Sequence, residues 1–236
     1  MGIPLYQGYG LSETSPIVNA STPAKCKIGT VGVPIQGCEE KIMEDGEILA
    51  RGPMIMKGYY NNPEATAEVF TADGWFRTGD IGHFDADGFL VITDRKKELL
   101  KTSGGKYVAP QPIENEFNTD PYVEMVSVVG DNRKFVSALV VPEFTNVRKW
   151  LSDQGESAPE GNQALIDHPK VKALLEERIS QVNARLARYE QIKKFAVLAE
   201  SFSEQTGELT PTLKKKRRII EQKYKELIDQ MYPADM

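Results

Sequence analysis

Trp75-Phe76-Arg77-Thr78-Gly79-Asp80-Ile81-Gly82-His83-Phe84-Asp85-Ala86-Asp87-Gly88-Phe89-Leu90-Val91-Ile92-Thr93-Asp94-Arg95-Lys96-Lys97 sets two kinds of sequence side by side. Residues 79–84 and 89–93 are short apolar runs joined by Asp85-Ala86-Asp87-Gly88, a turn whose glycine supplies the positive φ that closes a hairpin. After Arg95-Lys96-Lys97 this rhythm stops, and strand patterns alternate with helical ones, so a domain boundary is expected here. Upstream, strands are predicted at 40–43 and 47–51 around a second turn, Glu44-Asp45-Gly46, and Pro63 opens a predicted helix to about residue 70. Downstream, the expected strands are 125–129, 137–141 and 194–198, and the expected helices 112–117, 146–153, 169–186 and 214–231. Within 169–186, Val171, Leu174, Leu175, Ile179, Val182 and Leu186 recur at three- and four-residue spacing, which makes one apolar stripe for a core. Residues 154–163, rich in Gly, Ser, Pro and Glu, read as a surface loop. The expected class is α+β, divided into residues 1–95, β-rich, and 96–236, mixed.

Composition narrows the function classes. The chain has 236 residues, 40% hydrophobic and 27% charged, with 14 Pro and 19 Gly, which is globular rather than disordered or fibrous. A net charge of −5 gives no overall field favouring nucleic acid. Two cysteines, Cys26 and Cys38, point to free thiols in a reducing compartment. No apolar run approaches the roughly 20 residues needed to span a bilayer, and residues 1–20 lack the pattern of a secretory signal, so the cytoplasm is the expected location. The sequon Asn19-Ala20-Ser21 is then a chance match. Two histidines, His83 and His168, with no cysteine pair at ligand spacing, leave a structural zinc site almost nothing to be built from.

Chemistry concentrates in a few short segments. Gln7-Gly8-Tyr9-Gly10-Leu11-Ser12-Glu13-Thr14 combines glycines that let backbone approach a ligand, an aromatic face suited to a purine, hydroxyls suited to phosphate oxygen, and a carboxylate that can serve as a hard ligand for Mg²⁺. Gly46-Glu47-Ile48-Leu49, Gly58-Tyr59-Tyr60-Asn61-Asn62-Pro63, Trp75-Phe76-Arg77-Thr78-Gly79-Asp80 and Asp94-Arg95-Lys96-Lys97 follow in order. Each alone is weak, and the order and spacing together are specific.

Together these segments resemble the signature series of the adenylate-forming superfamily, which includes acyl-CoA synthetases, luciferases and peptide-synthetase adenylation domains. The resemblance runs from Gly8 to about Arg218. It implies that residues 1–95 are the C-terminal portion of a large nucleotide-binding domain and residues 96–236 a small mobile cap. It further implies that Tyr9, with Gly10, stacks on adenine and that Ser12 and Glu13 serve the α-phosphate and Mg²⁺, Ser12 replacing the usual Thr. Asp80 is expected to accept hydrogen bonds from the ribose hydroxyls, in keeping with the short bonds an anionic acceptor makes. Arg95 is expected at the nucleotide and Lys97 at the hinge on which the cap turns.

The loop Lys101-Thr102-Ser103-Gly104-Gly105-Lys106-Tyr107 fails as a Walker loop, because Leu100 stands where its first Gly is required and Tyr107 replaces the Ser or Thr. The resemblance implies instead that Gly104 and Gly105 line the passage for the pantetheine arm of coenzyme A. Thr210-Pro211-Thr212-Leu213-Lys214-Lys215-Lys216-Arg217-Arg218 occupies the place of the family's catalytic-lysine loop and is similar to the long-chain branch. Aligned through the arginine pair, Lys214 is the expected catalytic amine, with Lys215 and Lys216 as alternatives. A run of five basic residues is usually a solvated face and sometimes a nucleic-acid or membrane patch. Gly29-Thr30-Val31-Gly32-Val33-Pro34 is similar to a glycine-rich stretch of fatty acyl-CoA synthetases.

The implied activity is a long-chain fatty acid–CoA ligase using ATP, Mg²⁺ and coenzyme A, with peripheral membrane association left open. The family's phosphate loop lies well upstream of the Tyr-Gly motif, so the 236 residues alone are expected to form no acyl-AMP. The competing readings are an aryl- or amino-acid-adenylating relative that delivers to a carrier protein, and a non-catalytic nucleotide- or CoA-binding module.

Overall fold

The computed structural model describes residues 3–232 of the chain. It divides into two compact units, Met1–Lys97 and Glu98–Met236. The first unit is mostly strands and the second mixes strands and helices, in keeping with the α+β class expected from the sequence.

The first unit is built on a four-stranded antiparallel sheet in the order β4 (Glu39–Ile42), β5 (Glu47–Arg51), β6 (Phe76–Phe84), β7 (Leu90–Arg95). Three shorter strands, β1 (Gly8–Tyr9), β2 (Asn19–Ala20) and β3 (Val33–Pro34), form a second antiparallel sheet. Both predicted turns close hairpins: Gly46 sits at φ 84° and Gly88 at φ 81°, where a side chain would be strained. The apolar residues Ile48, Leu49, Ala50, Trp75, Phe76 and Leu90 are buried. Strand β6 begins at Phe76, three residues before the predicted start, so the Thr78-Gly79-Asp80 element lies inside the strand rather than at its start. The helix α1 (Pro63–Val69) has Pro63 in its first turn, and the Asn62 side chain accepts from the Ala65 amide at 3.0 Å.

The second unit opens with the small hairpin β8 (Leu100–Lys101) and β9 (Tyr107–Val108), followed by α2 (Pro110–Asn115). Its sheet runs β10 (Val123–Val129), β11 (Val136–Pro142), β12 (Ile192–Val197), with β10–β11 antiparallel and β11–β12 parallel. Between β11 and β12 come α3 (Phe144–Asp153), α4 (Asn162–Asp167) and α5 (Pro169–Asn183). All seven residues of β11 are buried, because the strand serves two cores. Val136, Ala138 and Val140 pack with the stripe Val171, Leu174, Leu175, Ile179 and Val182 of α5, while Leu139 and Val141 pack with Leu209, Ile220 and Ile228. His168 caps α5, its Nδ1 accepting from the Lys170 amide at 3.3 Å.

Two helical expectations change. The helix predicted at 214–231 is two helices, α6 (Arg217–Lys223) and α7 (Lys225–Gln230), and Lys214, Lys215 and Lys216 all precede them. Lys215 pairs with Leu209 in a backbone bridge and Leu213 adopts φ 59°, so the lysines belong to a tight hairpin. The stretch predicted as a loop at 154–163 contains the start of α4. No helix among the described residues is long and apolar enough to cross a membrane.

Candidate functional site

In the first unit, two segments 71 residues apart meet at one carboxylate. The Tyr9 hydroxyl donates to Asp80 Oδ2 at 2.6 Å, and Arg95 Nε lies 3.3 Å from Asp80 Oδ1. The sheet register explains the second contact, since Asp80 on β6 and Arg95 at the end of β7 are direct cross-strand partners. The Asp80 side chain is 6% exposed while that of Arg95 is 56% exposed, so an anion is held inside and the guanidinium at the rim. The Asp80 amide donates to Thr78 Oγ1 at 3.1 Å, and that hydroxyl donates to the Ile48 carbonyl at 2.7 Å, which ties the Thr-Gly-Asp element to β5. Burial first, and then the hydrogen bond to Asp80, raise the Tyr9 phenol above its ordinary pKa, so it stays a donor.

The turn that follows Tyr9 is constrained by its backbone. A Cβ at Gly10 would lie 1.7 Å from the Pro16 carbonyl oxygen, so only glycine fits there. Residues Ser12–Thr14 form a single 3₁₀ turn. The Thr14 hydroxyl, fully buried, donates at 3.0 Å to the Leu11 and Pro16 carbonyls. Ser12 is exposed, and Glu13 Oε1 accepts from the Tyr59 hydroxyl at 2.9 Å, while the Glu13 carbonyl accepts from the Met56 amide at 2.8 Å. Tyr59 lies in the Gly58-Tyr59-Tyr60-Asn61 segment, but nothing in its spacing marks it as a partner of Glu13. Glu13 offers one oxygen anion, which suits Mg²⁺, an ion that keeps several waters and takes phosphate oxygens as its other ligands. No group of three metal-ligating side chains occurs among the described residues.

The structure thus brings Tyr9, Asp80 and Arg95 together through a hydrogen bond and an ion pair on one carboxylate, and places Glu13 and Ser12 on the turn that Tyr9 leads into. Lys97 is exposed and ends the first unit. The two residues before it are held by carboxylates of that unit: Arg95 by Asp80, and Lys96 by Asp45 at 2.7 Å and Glu47 at 2.8 Å.

In the second unit Gly104 and Gly105 form an exposed turn between β8 and β9, with Gly105 at φ 79° and open space where either Cβ would stand. Lys214 is exposed. Lys215 turns the other way, donating to Glu114 and, at 2.6 Å, to the Val126 carbonyl. Burial lowers the Lys215 pKa, and the neighbouring Glu114 only partly offsets this. Lys215 was an alternative catalytic amine in the sequence, but its pairing with Glu114 escaped sequence reasoning because 101 residues separate the two. A polar residue inside the predicted helix 112–117 was the only signal.

Comparison with known proteins identifies the family. Residues 97–236 match the AMP-binding enzyme C-terminal domain, and residues 1–60 match the AMP-binding enzyme model. The chain is 42% identical over 231 residues to the long-chain-fatty-acid–CoA ligase FadD15 of Mycobacterium bovis, covering 98% of this chain and 38% of that protein. Among solved structures it resembles the A domain of carboxylic acid reductase from Segniliparus rugosus, in complex with AMP and a co-purified carboxylic acid (TM-score 0.70, 28% identity, 96% of this chain and 35% of that one). It also resembles the O-succinylbenzoate coenzyme A synthetase of Bacillus subtilis in complex with ATP and magnesium ion (TM-score 0.61, 28% identity, 90% and 40%). The chain therefore spans well under half the length of the relatives it matches. With its C-terminal 140 residues matching one domain model of the family and its first 60 matching another, this chain belongs to the AMP-binding enzymes.

Proposed function

We propose that the chain is the C-terminal part of an ATP-dependent long-chain fatty acyl-CoA synthetase. The observation that carries this reading is the buried Asp80 carboxylate bracketed by Tyr9 and Arg95, an acceptor suited to a ribose diol beside an aromatic face and an exposed cation. The 42% identity to a long-chain-fatty-acid–CoA ligase supports the choice of substrate class.

In the first half-reaction a fatty-acid carboxylate oxygen attacks the α-phosphorus of ATP, the bond to the bridging oxygen breaks, and pyrophosphate leaves. Asp80 takes the ribose hydroxyls on lone pairs that its Tyr9 and Arg95 contacts leave open, and Tyr9 offers its ring to adenine. Arg95 faces the phosphates from the rim. Mg²⁺ held at Glu13 would neutralise the departing pyrophosphate. The Lys214 ammonium offsets charge developing between carboxylate and α-phosphate. In the second half-reaction the coenzyme A thiol attacks the acyl carbonyl and expels AMP, with Gly104 and Gly105 leaving room for the narrow pantetheine arm. Lys97 is the hinge at which residues beyond the first unit turn between the two steps, with Arg95 and Lys96 clamped on one side of it.

The test is a pair of variants in the complete synthetase, assayed by palmitate-dependent ATP–pyrophosphate exchange. Lys214→Ala should lower the rate of acyl-AMP formation roughly 10²-fold or more, the scale of losing one preorganised donor. Thioester formation from supplied acyl-AMP should survive. Asp80→Ala should raise the KM for ATP. Equal loss of both half-reactions in Lys214→Ala would remove that residue from the proposed role, and an unchanged KM in Asp80→Ala would remove the ribose assignment.

A further inference from the structure

The hairpin that carries Lys214 is anchored from below by one buried carboxylate. Glu114, 5% exposed, sits in α2 and accepts four hydrogen bonds. Its Oε1 takes the Val128 amide at 2.8 Å and Arg217 Nη1 at 2.6 Å, and its Oε2 takes Arg217 Nη2 at 2.9 Å and the Lys215 ammonium. Glu114 therefore binds Arg217 in bidentate fashion, the strongest common geometry for this pair, and gathers α2, β10 and two members of the basic run, Lys215 and Arg217, into one network. Arg217 also reaches Glu98 at 3.3 Å.

Around this anchor the backbone has little freedom. The Lys216 amide donates to the Glu208 carbonyl at 2.7 Å, the Thr210 amide to the Lys214 carbonyl at 2.8 Å, and the Leu213 amide to the Thr210 carbonyl at 2.8 Å. Leu213, at φ 59°, closes the turn, and the Lys214 amide donates to Thr210 Oγ1 at 3.0 Å. The other strand is held by Glu208, whose buried carboxylate pairs with Lys223. In paired extended backbone adjacent side chains leave on opposite faces, so drawing Lys215 inward to Glu114 turns Lys214 outward.

We propose that Glu114 is a positioning residue for Lys214: by clamping Lys215 and Arg217 it sets the register of the Thr210–Lys215 hairpin, so that Lys214 and not Lys215 is presented as the free amine. The inference rests on the reading of Lys214 given above, and it explains how a run of adjacent lysines can present one defined amine.

Two measurements test it. On the 236-residue chain, limited acetylation read by mass spectrometry should label Lys214 faster than Lys215, and in Glu114→Gln the Lys215 rate should rise towards that of Lys214. In the complete synthetase Glu114→Gln should lower kcat for acyl-AMP formation roughly 10- to 100-fold, the usual cost of misplacing a catalytic group by about 1 Å. The KM for ATP and thioester formation from supplied acyl-AMP should be unchanged, a split that general unfolding does not produce. Should Glu114→Gln lose its cooperative melt, Lys215→Met decides instead, because it keeps the stem and the Glu114–Arg217 pair and should show the same split. Equal labelling of the two lysines in the unaltered chain, an unchanged adenylation rate, or equal loss of both half-reactions overturns the proposal. If Lys214→Ala leaves adenylation intact, the reading of Lys214 fails while the labelling result still decides the anchor.

Discussion

Asn19, buried, and Glu40, half-buried, make a pair with more acceptor atoms than donors. Asn19 Nδ2 donates to Glu40 Oε2 at 3.1 Å, which leaves Asn19 Oδ1 and Glu40 Oε1 both buried and without a partner. Burial pushes the Glu40 carboxyl from 4.5 up to about 7, against the smaller opposing effect of the Asn19 bond. Because the folded pKa lies above the unfolded one, the folded chain binds the extra proton between these values. The associated stability is present in full below about pH 4.5 and is lost as pH rises to about 7. Glu40→Gln, neutral at every pH, should flatten this dependence and stabilise the first unit at pH 8 by on the order of 1 kcal/mol after allowing for solvent screening. Amide-exchange protection of Ile48, Leu49 and Ala50 across pH 5–8 checks it, and identical slopes in both proteins would show that Glu40 does not titrate in this range. No sequence signal marked this pair, because the two residues alternate with ordinary strand neighbours and meet only through folding.

At the scale of elements, β11 carries the second unit. Its alternate residues enter two different cores, so a large-to-small change on either face opens a cavity that neighbouring helices cannot fill. Leu139→Ala should cost about 3 kcal/mol, read as a lower urea midpoint for loss of helical ellipticity, and a change under about 1 kcal/mol would mean the site collapses around the deletion. Strands and helices were legible wherever a period was sustained: the α5 stripe from Val171 to Val182 and the hairpins around Gly46 and Gly88 lie where pattern and turn chemistry put them, although α5 ends at Asn183 and leaves Leu186, the last predicted member, beyond the helix. The helix predicted at 214–231 was not legible. A basic run carries good helix propensity, but propensity of a few tenths of a kcal/mol per residue loses to a buried ion pair and a closed hairpin. The break at Tyr224 likewise has no proline or glycine to announce it.

For the whole molecule, the apolar interior follows the division of the chain. Every residue of the two large clusters falls between Leu100 and Tyr232, and the buried hydrophobics of the first unit form their own set from Val18 to Leu90. Residues 98–236 produced alone should therefore fold cooperatively and give amide NMR shifts that overlay those of the intact chain; a collapsed spectrum would show that this unit borrows its stability. The sequence by itself determined the family, the α+β class and the motif order, because these depend on local periodicity, turn chemistry and residue types at fixed spacing. Only the tertiary structure decided that Asp80 is shared by Tyr9 and Arg95, that Tyr59 meets Glu13, and that Lys215 is spent on Glu114 while Lys214 stays exposed. These contacts join residues 15 to 101 positions apart, and at the buried carboxylates Asp80 and Glu114 what selects them is desolvation, since a carboxylate removed from water must find donors and cations wherever the folded chain brings them.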